Sequence, residues 1–357
     1  MGQMVRKAGL CWWPLMGLLL LAQTTQGMAM SKTDVREEGI PAFEFTKHCA
    51  GRYQLELPAD MKLIRSGYND ELIMASVYPP EEKVHDTAYG GENRVEQWRE
   101  RVEFVRQEEK VETGYVHQNL EGSLKTLVYY ADYRKIPGLS EDPTASHIFE
   151  THFLKDFPEV GKAIAIQGQG ALGVVQRDEP DYKTIYRERL ARMQDRASQV
   201  EYHPWPHKKA GVCLGREFVV VNAQAPEREG YSMQFVNGKG SWFTLKGGTY
   251  TSEGRLKEVQ SGARGMLAFL ASSSMKVAGR KGRLFVSDGK YSETEREFRW
   301  VATDSEVNSF KNGHFVIEGA IEMKDYPEMA PMKGTDVIVG LLKSIQVRPY
   351  AMLDTKR

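Results

Sequence analysis

The chain has 357 residues, with 48 basic and 48 acidic side chains and a formal net charge of zero at pH 7. Such a balance leaves no electrostatic footprint for nucleic acid or an anionic membrane surface. A hydrophobic content of 41% excludes a disordered chain.

Met1 to Ala29 contains no acidic residue. Arg6 and Lys7 form a short positive start, Ala8 to Ala22 is mostly apolar, and Gly27-Met28-Ala29 puts small residues at −3 and −1 of a cleavage site. That is the pattern of a secretory signal peptide over residues 1–29. The apolar run is short for a span, which takes about 20 residues. Removing Arg6 and Lys7 from the 48 basic residues leaves 46 against 48 acidic. The expectation is an exported chain, placed in a bacterial periplasm, of about 330 residues, which favours two domains.

Arg52 to Leu57 alternates apolar and polar residues and ends at Pro58, as a half-buried strand does. Glu71 to Tyr78 reads as a second strand, stopped by Pro79-Pro80. Glu92 to Val111 places Val95, Trp98, Val102 and Phe104/Val105 at helical spacing among charges, an amphipathic helix on a sheet. Ser123 to Arg134, His147 to Leu154 and Lys162 to Gln167 read as strands, and Pro180-Asp181 opens a helix with Ile185, Leu190 and Met193 inward. Two prolines in Glu201 to Lys209 give a stiff extended linker.

Beyond it, Glu217 to Asn222 and Tyr231 to Val236 are strands, followed by a Gly-rich stretch at Asn237 to Gly240 and Gly247-Gly248. Ser252 to Leu270 is a helix. Arg283 to Ser287, Glu297 to Val301 and His314 to Met323 are strands, the first two joined near Asp288-Gly289. Thr335 caps a last helix, Asp336 to Ser344, and Pro349 follows it. Both halves read β-β-α-β-β-β-α. Both also open with Cys-x-Gly-Arg running into a strand, at Cys49 to Arg52 and at Cys213 to Arg216. The expected fold is therefore α+β: two related lobes made by internal duplication, each a mainly antiparallel sheet with helices packed on it. The boundaries are 30–200, a linker at 201–209, and 210–357.

Cys49 and Cys213 remain once the leader is gone. A disulfide would close a loop of about 165 residues, worth up to roughly 5 kcal/mol. The alternative is two small buried residues, each in its own core. Equivalent positions of two domains usually lie far apart, which favours the alternative.

Chemical motifs are scarce. Gly168 to Gly173 matches Gly-x-Gly-x-x-Gly, but a strand-like segment follows where a phosphate-binding helix must open, so it reads as a hairpin. Val286-Ser287-Asp288-Gly289 reads as a turn, and no serine sits in a Gly-x-Ser-x-Gly elbow. His203 and His207 share a metal only on a helix, which Pro204 and Pro206 forbid. His147 and His152 face opposite sides of a strand. No catalytic residue, metal ligand or cofactor is assigned, and the chain reads as a binder, not an enzyme.

Cys49-Ala50-Gly51-Arg52-Tyr53-Gln54-Leu55-Glu56-Leu57-Pro58 resembles the start of a two-domain family of periplasmic immunity proteins, the Tli family. These protect bacteria against lipase effectors of the type VI secretion system. Val212-Cys213 and the ending Leu342-Lys343-Ser344-Ile345-Gln346-Val347-Arg348-Pro349 extend the likeness from about Phe45 to Pro349. Arg216-Glu217 departs from it, standing where a smaller Gly-bearing turn is expected. The resemblance implies a claw of two lobes that grips a phospholipase-type effector, with no cofactor and no nucleic-acid partner. Such a grip needs a few buried anchors, usually aromatic; Trp205, Trp242 and Tyr250, at the linker or in loops, are the candidates, with core packing the plainer role for each. Two other classes stay open: an exported hydrolase with an unrecognised site, and a solute- or peptide-binding module using the cleft between lobes.

Overall fold

The computed structural model describes residues 44–77, 96, 98–100, 102–103, 117–131, 148–168, 182–221, 226, 228–249, 252–254, 256–257, 272–288, 293–327 and 333–351. The leader, Gln169 to Gly173, His147, Tyr250 and most of the helices expected at 92–111 and 252–270 lie outside the described residues. No helix among the described residues is long and apolar enough to cross a membrane.

The first half runs β1 (Phe45–Ala50), β2 (Tyr53–Pro58), β3 (Lys62–Asp70), β4 (Ile73–Val77), β5 (His117–Asn119), β6 (Leu124–Ala131), β7 (Ile148–Phe157), β8 (Lys162–Gly168), α1 (Tyr182–Ser198) and β9 (Val200–Tyr202). The second runs β10 (Gly211–Leu214), β11 (Phe218–Val221), β12 (Glu229–Val236), β13 (Trp242–Gly248), β14 (Ser272–Val277), β15 (Arg280–Asp288), β16 (Glu295–Ala302), β17 (His314–Glu322), α2 (Gly334–Ser344) and β18 (Gln346–Val347). The α+β expectation of two lobes, each a sheet carrying helices, is overturned. Strands dominate, and twelve of them form one antiparallel sheet in the order β14-β15-β16-β17-β13-β12-β3-β4-β8-β7-β6-β5. Its middle is the pairing of β12 with β3, Tyr231 opposite Tyr68, so a single ladder joins the two halves.

That order reads the same from either end. Each half contributes six strands in the same succession, counted outward from the centre. Two three-stranded sheets complete the pattern, β1-β2-β18 and β10-β11-β9. Each mixes the halves. β9 follows α1 but pairs with β11 of the second half, and β18 follows α2 but pairs with β2 of the first. The segment expected as a linker is thus partly strand. The rest of it is tied down too: the amides of His203 and Trp205 donate to the carbonyls of Glu217 and Arg216, at 2.7 and 2.9 Å.

The period of two explains why strands prevail. Phe153 and Leu154 on β7, Leu284 and Phe285 on β15, and Trp300 and Val301 on β16 are all buried and point to opposite faces. One face joins a core shared by both halves, where the Tyr53 and Phe315 rings stack at 4.2 Å. Leu190, Met193 and Ala197 of α1 and Val337, Ile338, Leu341 and Leu342 of α2 pack into this same core. On the opposite face of the first half, Trp98 and Val102, one helical turn apart, cover Leu127, Leu154 and Ala163.

Matching turns link β3 to β4 and β12 to β13. The Asp70 carboxylate accepts from the amides of Leu72 and Ile73, both at 2.8 Å. The Asn237 side-chain oxygen accepts from Lys239 and Ser241, at 2.9 and 3.1 Å. These are the local side-chain bonds that suit Asp and Asn to turns. Two smaller expectations also change. α2 begins at Gly334 with Lys333 before it, so Thr335 lies inside the helix and caps nothing. Ser287 and Asp288 end β15 and are not turn residues.

Candidate functional site

The two Cys-x-Gly-Arg stretches meet. Gly51 and Gly215 adopt the same left-handed conformation, φ 66° and 67°, at the turn into β2 and into β11. The turn-bearing glycine expected in the second half is therefore present at Gly215. A side chain at Gly51 would also collide with the Tyr231 ring. The Cys213 amide donates to the Gly51 carbonyl at 3.0 Å, and Cys49 and Cys213 are disulfide-bonded, their Cα atoms 6.3 Å apart. Equivalent positions are usually distant, but these lie where the two halves face each other. Val219 and the partly buried Trp205 pack around the bond.

Beside it is a set of buried ions. Arg52 and Glu229 are 2% and 3% exposed. The guanidinium donates to both carboxylate oxygens, at 2.6 and 2.7 Å, and to the Ala351 carbonyl at 2.5 Å. Burial pulls the Arg52 pKa down, and the Glu229 charge and hydrogen bond more than reverse it. Arg348 donates to the carbonyls of His207, Lys209 and Gly211, at 3.3, 2.9 and 2.6 Å. Burial, then the charge of Arg52, pushes its pKa down to about 10, so it stays charged at neutral pH. Near the end of α1, Arg196 donates to Asp70 and to the Tyr68 hydroxyl, at 2.6 and 2.5 Å. These groups tie the C-terminal segment and α1 across the middle of the molecule. Their arrangement is that of a clamp on the fold, each cation answered by carboxylate or carbonyl.

His48 and His207 flank the disulfide. Burial first, then the charge of Arg216, lowers the His48 pKa to about 4. His207 also falls to about 4, chiefly by burial, with Arg348 reinforcing it and the backbones of Gly215 and His203 opposing it. Both rings are neutral in the folded chain and protonate more readily when unfolded. Stability therefore holds above about pH 6.5 and is lost as pH falls towards 4. The expected loss is roughly 3 kcal/mol per histidine. Urea midpoints across that range check it, and replacing His48 with glutamine should flatten part of the slope.

Two of the sequence-derived anchors, Trp205 and Trp242, lie among the described residues. Trp205 leans on the disulfide cluster, in edge contact with His207 at 5.5 Å. Trp242 starts β13, paired with Val236 and Ala320. His203 and His207 do approach, at 5.8 Å between rings, without a helix between them. His152 is buried on β7, opposite Leu127 and Gln167. Sequence reasoning missed Glu229, Arg348 and the Asp70–Arg196 pair. The doubled Cys-x-Gly-Arg and the ending through Arg348 pointed to this region, without a role for any one side chain.

No protein-family model and no curated protein sequence matches the chain. Solved structures do. The apo immunity protein TplEi of the type VI secretion system from Pseudomonas aeruginosa aligns with a TM-score of 0.54 at 16% identity, over 88% of this chain and 100% of that one. The chain has the fold of that immunity protein. The same protein complexed with an "L" peptide gives 0.51 at 13% identity, over 85% and 98%. A chain of the Tle4-Tli4 complex gives 0.54 at 14% identity, over 86% and 98%. The immunity-protein fold thus extends over nearly the whole length of each solved chain and is no local motif.

Proposed function

We propose that this chain is an immunity protein that binds and inhibits a cognate lipase-type effector of a type VI secretion system, protecting the producing cell and its kin. The observation that carries the reading is the near-complete alignment with solved immunity proteins, one met in the Tle4-Tli4 complex. The resemblance from Cys49 to Pro58 supports the lipase class of the partner. The leader-like start supports export and action in the periplasm. On this reading the chain breaks no bond itself. It acts by binding, its two halves joined through one shared sheet.

Inhibition of this kind favours rigid partners, because ordering a loose surface on binding costs affinity. A shared ladder, a disulfide and buried ion pairs supply that rigidity here. The test is periplasmic expression of a candidate lipase-type effector from the same genome, with and without this chain. Survival with the chain, and its co-elution with the effector, are expected. Equal killing in both cultures, or separate elution of two active species, refutes the proposal.

A further inference from the structure

We propose that reducing the Cys49–Cys213 disulfide turns its surroundings into a binding site for Zn²⁺, held by both thiolates and the imidazole of His207. The inference is independent of the immunity reading. Both sulfurs and a ring nitrogen of His207 lie within 4.8 Å of one another, and all three residues are buried. His207 Nε2 is engaged with the Gly215 carbonyl at 3.1 Å. Nδ1 is buried without a hydrogen-bond partner, the nearby His203 backbone notwithstanding, which leaves it the nitrogen with a lone pair to offer. A metal-ligating histidine characteristically has its other nitrogen tied to a carbonyl in this way.

The backbone needs little adjustment. Two Zn–S bonds of about 2.3 Å at a tetrahedral angle place the sulfurs about 3.7 Å apart, against about 2.05 Å in a disulfide. The β1–β2 and β10–β11 ladders and the Gly51–Cys213 bond hold both cysteines from outside. Two thiolates, a neutral imidazole and a dication sum to zero charge, which a buried position tolerates. Two Cys and one His with water in the fourth place is an established zinc set. In the chemistry, a phosphine cleaves the S–S bond, is oxidised to its oxide with the oxygen of water, and leaves two thiols. Zn²⁺ then displaces the two thiol protons.

The test uses the full chain, reduced by phosphine under argon and titrated with Cd²⁺ as a spectroscopic probe, then with Zn²⁺ in competition. One equivalent is expected, with a thiolate-to-metal charge-transfer band of two-thiolate intensity that the unreduced protein lacks. Cys213→Ser should lose that intensity. His207→Phe should weaken binding by roughly tenfold or more. Reduced protein that keeps its near-UV circular dichroism but takes up no ion overturns the proposal. So does uptake no tighter than by the chain in urea, or binding unchanged in His207→Phe.

Discussion

Glu229→Ala is expected to destabilise the protein by about 3–5 kcal/mol, the cost of stranding a buried charge. Arg52 would keep only the Ala351 carbonyl, since both of its remaining bonds end on the Glu229 carboxylate. Water cannot compensate at 2% exposure. Removing both charges should be far milder: an Arg52→Met, Glu229→Leu pair spares the desolvation of two ions, and such replacements are often neutral or better. Urea unfolding of the single and double variants separates the two cases. A single variant with the parent's midpoint would show that the pair is not a buried one.

Loss of the disulfide is expected to cost a similar amount for a different reason. The bond joins residues 164 apart in sequence, so it chiefly restricts the unfolded chain, by about 4–5 kcal/mol on the chain-entropy account. The folded state still has its ladders at Cys49 and Cys213. A Cys49→Ser, Cys213→Ser variant should therefore keep the parent's near-UV circular dichroism while its denaturant midpoint falls. A drop below about 1 kcal/mol would show that loop closure contributes little to this fold.

Where a strand is half-buried and alternates, as at Tyr53 to Leu57, its pattern was visible in the residues. Where polar residues or glycines interrupt the alternation, it was not. β3 and β1 carry mixed polar residues, β14 opens with three serines in succession, and the glycines of β13 imitate a turn. Of these, β3, β13 and β14 make the difference between two helix-backed lobes and one broad sheet. The echo at the two cysteines was readable, but its geometry was not. Nothing local says that related segments will face each other and bond. Glu229 looked like any solvated acid, because its burial comes from a partner 177 positions away.

The reciprocal trade of β9 and β18 has a bearing on biosynthesis. The N-terminal hairpin receives its third strand only when residues near position 347 have been made. Until then β2 offers unpaired amides and carbonyls to any neighbouring chain, a known aggregation hazard. Nascent molecules thus pass through a long vulnerable interval, and a message cut short near its end yields a product with an open seam.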